Sequence, residues 1–227
     1  MKAITRNTAA QAYRAIFSFM LDHAEDFTSE DGALSMIAPG RETIIAHINR
    51  PLNDLEQLAN LSPLGSGAME YYREQLVEGK HIKKDNPEDE AEYTYYQRLR
   101  EYYIILNGVT FDQINAIKQK IGDNWQTRRA VAVTWQPWSD PSSSDPPCMD
   151  LLKFNVWKGK LNLSVVFRSH DLIGGWLNNC YALIYLLKEI ADALNLEVGV
   201  LDIISFDGHF YKNDQDKIDK IKAKLGM

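Results

Sequence analysis

Leu151-Leu-Lys-Phe-Asn-Val-Trp157, followed by Lys158-Gly159-Lys160 and Leu161-Asn-Leu-Ser-Val-Val-Phe167, is the stretch that decides the fold. Its first arm is rich in β-branched and aromatic residues and reads as a strand; its second alternates imperfectly and reads as a buried strand. The Lys-Gly-Lys triplet between them supplies a hairpin turn. Upstream, Ala130 to Gln136 has the same strand composition, and residues 137–147 hold four prolines and four serines, too polar and turn-rich for a core element. Downstream, the most apolar helix is expected from Asn179 to Leu194, a strand from Val198 to Phe206, and a charged amphipathic helix from Asp216 to Leu225.

The first half reads differently. Thr8 and Gln11 form a capping-box pair ahead of Ala12, Ala15, Ile16, Phe19 and Met20 at helical spacing. Residues 28–41, with Ser, Asp, two Gly and a Pro, read as a connection, and Ile44 to Ile48 as a short strand stopped by Pro51. A Gly-Ser-Gly turn precedes a helix from Met69 to Val77; residues 80–92 are a charge run read as a solvated loop. Two more helices are expected near Tyr95 to Ile105 and Phe111 to Ile121. Helices come first and strands dominate later, which predicts an α+β fold around a mixed or antiparallel sheet with flanking helices. At 227 residues, one domain over 1–227 is the default.

Composition narrows the function. Hydrophobic residues make up 45% and charged residues 25%, ordinary for a soluble globular protein. A formal charge of −6 argues against a general polyanion binder, so no nucleic-acid partner is expected, although a few local arginines suffice for one phosphate. No stretch approaches the roughly 18 apolar residues of a membrane span, and no apolar signal core follows Met1 to Asn7. Two cysteines, Cys148 and Cys180, make no disulfide framework, so a reducing cytoplasm is expected.

Several residues are suited to chemistry. Cys148 stands in Asp145-Pro-Pro-Cys-Met149, where two prolines fix the backbone ahead of a thiol. Nearby guanidinium groups favour a thiolate, and Arg128-Arg129 and Arg168-Ser169 lie beside strand ends, where the arginine fork suits a phosphate. His209 and Tyr211 are two apart on an extended segment and point the same way. Asp171 and Asn178-Asn179 flank Gly174-Gly175; one asparagine is expected to cap the apolar helix, and a carboxamide also matches a pyrimidine edge. Each has a bland alternative: a buried apolar cysteine, surface arginines, a satisfied interior histidine.

Taken in order, Thr127-Arg-Arg-Ala-Val-Ala-Val-Thr-Trp135, Pro146-Pro-Cys148, Phe154 to Leu163 with its Gly159 turn, Phe167-Arg-Ser-His-Asp171, Asn179-Cys-Tyr-Ala-Leu183 and His209-Phe-Tyr211 resemble the thymidylate synthase family, closest to its archaeal, methanogen-type branch. The resemblance runs from about Tyr93 to Asn213. It implies a thymidylate synthase-like fold and a sheet-mediated homodimer, with no metal. It implies that Cys148 adds to C6 of uracil, that Arg168 and Ser169 hold the 5′-phosphate, and that Arg128 and Arg129 reach it from a partner subunit. Asp171 would lie over the ring, Asn179 or Asn178 would read the base, His209 and Tyr211 would meet the 3′-hydroxyl, and Tyr95 would line the cavity. Glu70, on the helix after the Gly-Ser-Gly turn, is the candidate proton relay.

The resemblance therefore implies C5 methylation of dUMP, with 5,10-methylene-tetrahydrofolate or 5,10-methylene-tetrahydromethanopterin as the one-carbon donor. A pyrimidine nucleotide 5-hydroxymethylase, acting on dUMP, dCMP or CMP, is the alternative within the superfamily. A non-catalytic nucleotide-binding regulatory protein is the alternative from another class. Met149, Phe167 and Tyr96 depart from the histidine, glutamine and glycine usual at those places.

Overall fold

The computed structural model describes residues 1–30, 32–81, 93–104 and 108–227. The chain opens with β1 (Lys2–Arg6), α1 (Ala9–His23), β2 (Glu25–Thr28), β3 (Leu34–Ile37) and β4 (Ile44–Ile48). Helices α2 (Leu55–Leu61), α3 (Ser66–Arg73) and α4 (Tyr95–Arg100) follow, and a π-helical turn, Glu74–Glu78, extends α3. Strands β5 (Tyr102–Ile104) and β6 (Val109–Phe111) pair before α5 (Gln113–Asp123) and β7 (Val131–Val133). The remainder runs β8 (Met149–Trp157), β9 (Lys160–Phe167), β10 (His170–Asp171), α6 (Gly175–Ala193), β11 (Glu197–Ser205), β12 (Gly208–Tyr211) and α7 (Gln215–Leu225).

The expected α+β organisation is present, built on a mixed six-stranded sheet in the order β1-β4-β11-β9-β8-β7. The β8–β9 hairpin lies at its heart, with Trp157 opposite Lys160. Its turn is the two residues Lys158 and Gly159, both at positive φ (51° and 75°), the twist that matches a right-handed hairpin. Lys160, expected in the turn, already belongs to the strand. Because β9 and β11 run parallel, a crossover must join them, and α6 serves, burying Trp176, Leu177, Leu183, Leu187 and Ile190. Among the described residues, no helix is long and apolar enough to cross a membrane.

One face of this sheet is covered and the other is bare. Along β4, β9 and β11, buried residues alternate with half-exposed ones. Cross-strand register gathers the half-exposed set into rows: Ile45, Ile204, Val166, Leu151 and Val133 form one, and His47, Asp202, Ser164, Lys153 and Val131 the next. In the second row Asp202 accepts from Ser164 Oγ at 3.1 Å and lies 2.6 Å from His47 Nδ1.

Several expectations are corrected. Residues 28–41 are more than a connection: they contain β3, which pairs with β2 and with β12, the latter some 170 residues away in sequence. The N-terminal segment, given no structure from sequence, is edge strand β1, parallel to β4. The helix from Tyr95 ends at Arg100, where Tyr102 and Tyr103 turn into a strand, and its expected end at residue 105 lies outside the described residues. Phe111 is strand, and Asp112 caps α5 by accepting from Asn115 N at 2.8 Å. The charge run lies outside the described residues from position 82 onward.

The polar loop 137–147 is anchored by a buried charge. Asp140, 2% exposed, accepts from Arg98 Nη2 at 2.6 Å, Arg98 Nη1 at 3.2 Å and Gln136 N at 2.5 Å. Removing one member of a buried pair strands the other charge. Asp140→Ala is therefore expected to lower unfolding stability by about 3–5 kcal/mol, read as a fall in the urea midpoint at unchanged slope.

Candidate active site

The hairpin register brings the thiol and the arginine together. Met149 pairs with Phe167, so the next residues outward on the antiparallel strands, Cys148 and Arg168, become neighbours, and Arg168 N donates to Cys148 O at 2.9 Å. The Arg168 guanidinium donates from Nε to Pro147 O and from Nη2 to Pro146 O, both at 2.8 Å. Nη2 also stands 3.9 Å from Cys148 Sγ, and the group stacks over Trp135 at 5.7 Å. The two prolines thus offer their carbonyls to the arginine as well as stiffening the backbone before the thiol.

Two cavities meet at Cys148. One, of about 350 Å³, is lined by Tyr72, Tyr95, Asp171, Asn178 and Asn179 among others. The second, of about 460 Å³, is lined by Arg41, Arg168, Ser169, His209 and Tyr211 among others. Cys148 and Asp145 lie in the wall of both. In the second cavity the His209 and Tyr211 rings stand edge-on with centroids 4.8 Å apart, as their spacing on β12 requires. Arg41 is held there by Asp207, with Nε to Oδ1 at 2.9 Å.

The chain beyond β9 positions the carboxylate. β10 pairs with β12, Asp171 opposite His209. Asp171 then accepts from the Ile173, Gly174 and Gly175 amides at 2.8, 3.1 and 3.1 Å, which seats its charge at the N-terminus of α6. A Cβ at Gly174 would lie 3.1 Å from Asp171 Oδ2, a tight contact that would press on the capping carboxylate. This corrects the expected capping: Asp171 starts the helix at Gly175, and Asn178 and Asn179 fall within its first two turns. Asn178 Oδ1 is shielded from solvent and has no hydrogen-bond partner among the described residues.

Tyrosines close the other wall. Tyr95 Oη accepts from Met149 N at 3.0 Å, and Tyr93 meets Tyr95 edge-on at 5.5 Å. Burial pushes Tyr93 up to about 12 and Tyr72 and Tyr95 well above the usual phenol range, so all three stay protonated. Tyr72 Oη donates to Asn179 Oδ1 at 2.5 Å, and Asn179 Nδ2 lies 3.2 Å from His170 Nε2. Burial lowers His170 to about 3, so the ring is neutral. At Cys148 the same effect raises the thiol, and Arg168 opposes it without prevailing. Within one chain, desolvation outweighs Arg168, which is shared with two carbonyls, so this guanidinium alone does not leave a resting thiolate.

The structure brings together Cys148, Arg168, Ser169, Asp171, Asn178, Asn179, His209, Tyr211 and Tyr95. Arg128 and Arg129 are exposed and line neither cavity within one chain. Glu70 also lies outside both, held by Arg73 Nε at 2.8 Å and Tyr181 Oη at 3.3 Å. Sequence reasoning missed Tyr72, Tyr93, His170 and Arg41. His170 sits inside a quoted run, but the other three belong to no spacing pattern and reach the site only through the fold.

The Cys148 thiol thus lies between a cavity that carries Arg41 and Arg168 and one that carries Asn178 and Asn179. The thymidylate synthase family model matches residues 66–225. Three methanogen proteins, each carrying the name "Putative thymidylate synthase", are similar. The one from Methanosarcina barkeri is 32% identical over 220 residues, 97% of this chain and 94% of its own. That from Methanococcoides burtonii is 39% identical over 153 residues (67% and 65%), and that from Methanopyrus kandleri is 28% identical over 209 (91% of each). The chain belongs to the thymidylate synthase family, alongside its archaeal branch.

Proposed function

We propose that this chain alkylates C5 of a pyrimidine nucleoside monophosphate, converting dUMP to dTMP, with Cys148 as nucleophile. What supports the reading is the place of Cys148 in the wall of both cavities. On one side Arg168, Ser169, His209 and Tyr211 suit a phosphate and a sugar hydroxyl; on the other Asp171, Tyr95 and Asn179 or Asn178 suit a flat base with a donor–acceptor edge. A nucleotide bridging the two would lay its glycosidic bond beside the sulfur. Arg41 adds a second cation within the chain on the phosphate side.

The chemistry follows from the residues. Cys148 gives up its proton as Sγ bonds to C6, and the electron pair of the C5–C6 bond moves onto C5 and O4. An amide N–H from an asparagine stabilises the charge at O4. Phosphate binding remote from the reacting atoms holds C6 in line with Sγ. When bound, a reduced folate or methanopterin would supply the methylene carbon that becomes bonded to C5 as its bond to the pterin nitrogen breaks, and Asp171 and the asparagines line the cavity that would hold it. The unpartnered Asn178 Oδ1 in that cavity fits a ring N–H of the nucleotide or pterin. C5 then loses its proton and Sγ leaves C6; a methyl product would require a hydride from the bound reduced pterin, where water would give a hydroxymethyl group.

The assembly belongs to the same proposal. The chain acts as one domain over 1–227 in a reducing cytoplasm. Two copies pack through the bare sheet face, whose rows from Ile45 to Val133 and from His47 to Val131 need a cover. The partner subunit's Arg128 and Arg129 then complete the phosphate site.

Tritium release from C5-tritiated dUMP, compared with dCMP and UMP and with each reduced pterin, tests the reaction. Release with dUMP and a methylated product by mass is expected. A hydroxymethyl product would replace reduction by hydration, and no release with any pterin would remove the assignment.

A further inference from the structure

Tyr72 has no counterpart among the residues that the resemblance assigns, yet it begins a buried chain of hydrogen bonds. Its hydroxyl donates to Asn179 Oδ1 at 2.5 Å, Asn179 Nδ2 lies 3.2 Å from His170 Nε2, and His170 Nδ1 lies 2.8 Å from Ser205 Oγ. Asn179, His170 and Ser205 are 6%, 1% and 1% exposed. The four side chains come from α3, α6, β10 and β11, and the chain ends at the cavity shared with Cys148.

The two ends of a carboxamide have nearly the same shape, so its neighbours' hydrogen bonds decide which end is oxygen. The point matters at a pyrimidine edge. Uracil offers an N3–H donor beside the O4 acceptor, whereas cytosine offers an N3 acceptor beside an N4 donor. Each base needs the opposite orientation of the amide that reads it. A neutral His170 donates from one ring nitrogen and accepts at the other, so it is compatible with either orientation, provided that Ser205 follows. The selection therefore falls to the far end of the chain. Tyr72 keeps its proton because it is buried, and Asn179 is its one hydrogen-bond partner among the described residues, so its O–H finds an acceptor only with the amide oxygen on that side. The amide nitrogen is then held toward His170, with its second hydrogen available to O4 and the second lone pair of Oδ1 available to N3–H.

We propose that Tyr72 is the positioning residue that fixes the Asn179 carboxamide and thereby restricts the cavity to the uracil edge; this rests on the reading of that cavity as a pyrimidine site. The experiment compares dissociation constants for dUMP and dCMP in the wild type, Tyr72→Phe and Ser205→Ala. Phenylalanine keeps the ring and removes only the donor. The wild type is expected to prefer dUMP, and Tyr72→Phe to narrow the dUMP:dCMP ratio about tenfold. Ser205→Ala, which leaves the Tyr72 donor in place, is expected to keep the ratio close to that of the wild type. A wild type that binds both nucleotides equally, or equal losses for both in Tyr72→Phe, would overturn the proposal; should that variant not fold, a ratio narrowed about tenfold in Ser205→Ala does the same, because selection would then sit at the histidine end. Covalent capture of 5-fluoro-dUMP by the wild type, read by intact mass, tests the underlying reading separately. Absence of capture sinks the pyrimidine site itself, whereas capture with an unmoved ratio in Tyr72→Phe sinks only the role of Tyr72.

Discussion

Cys148→Ser is expected to form no covalent adduct with 5-fluoro-dUMP and to lose on the order of a thousandfold or more in kcat/KM, about 4 kcal/mol of transition-state stabilisation. A serine hydroxyl keeps the shape of the site but has no accessible anion near neutral pH, and Arg168, 3.9 Å from the sulfur, is a cation that cannot act as its base. An adduct that survives in this variant would end the assignment of the nucleophile. The wild-type thiol carries a second expectation. Burial raises its pKa above the ordinary value despite Arg168, so the neutral thiol is the resting form at pH 7. Alkylation of Cys148 should then accelerate about tenfold per pH unit through the neutral range and level off only above the usual thiol pKa. Cys180, fully buried in α6, should react only on unfolding and serves as the internal control. A rate already level at pH 7 would mean a preformed thiolate and would contradict the burial account.

The second large effect is at Arg168. Its guanidinium is the cation that lies beside Sγ and also lines the cavity read as the phosphate site. With charge-assisted hydrogen bonds worth about 1.5–3 kcal/mol each, Arg168→Ala is expected to weaken dUMP binding on the order of 100-fold and deoxyuridine binding far less. Because the same side chain ties Pro146 and Pro147, Arg168→Lys separates its two tasks. Lysine keeps the charge but cannot hold both carbonyls in the arginine's planar fork, so dUMP affinity should recover further than kcat. Equal losses of dUMP and deoxyuridine in the alanine variant would place Arg168 outside the phosphate site. The arginines expected in trans complete the test. If Arg129→Ala and Cys148→Ser are each inactive, a mixture of the two should regain about one quarter of wild-type activity, because half the dimers are mixed and each of those holds one intact site. No recovery would argue against shared sites.

Much of the site was legible in linear order because it is built from strand ends. Once Lys158-Gly159 closes the β8–β9 hairpin, register alone makes Cys148 and Arg168 neighbours, and the two-residue period of β12 puts His209 beside Tyr211. Asp171 was legible as a polar residue ahead of two glycines, although its capping of α6 was assigned to an asparagine; the competing carboxylate four residues before the helix start took that role. Strand β3 was unreadable, since four residues flanked by Gly and Pro become a strand only when β2 and β12 supply hydrogen-bonding partners.

Local patterning by itself determined the mixed α+β class, the β8–β9 hairpin, the most apolar helix, and the candidate thiol, strand-end arginine and histidine–tyrosine pair. Tertiary structure alone decided which residues of α3 face the site, placing Tyr72 against Asn179 and Glu70 outside the cavity. It also decided that the Cys148 thiol is raised by burial instead of lowered by arginine. The physical reason is range: hydrogen-bond register and side-chain period are set by neighbours a few residues apart, whereas burial and helix rotation depend on segments that meet only after the chain has closed its core.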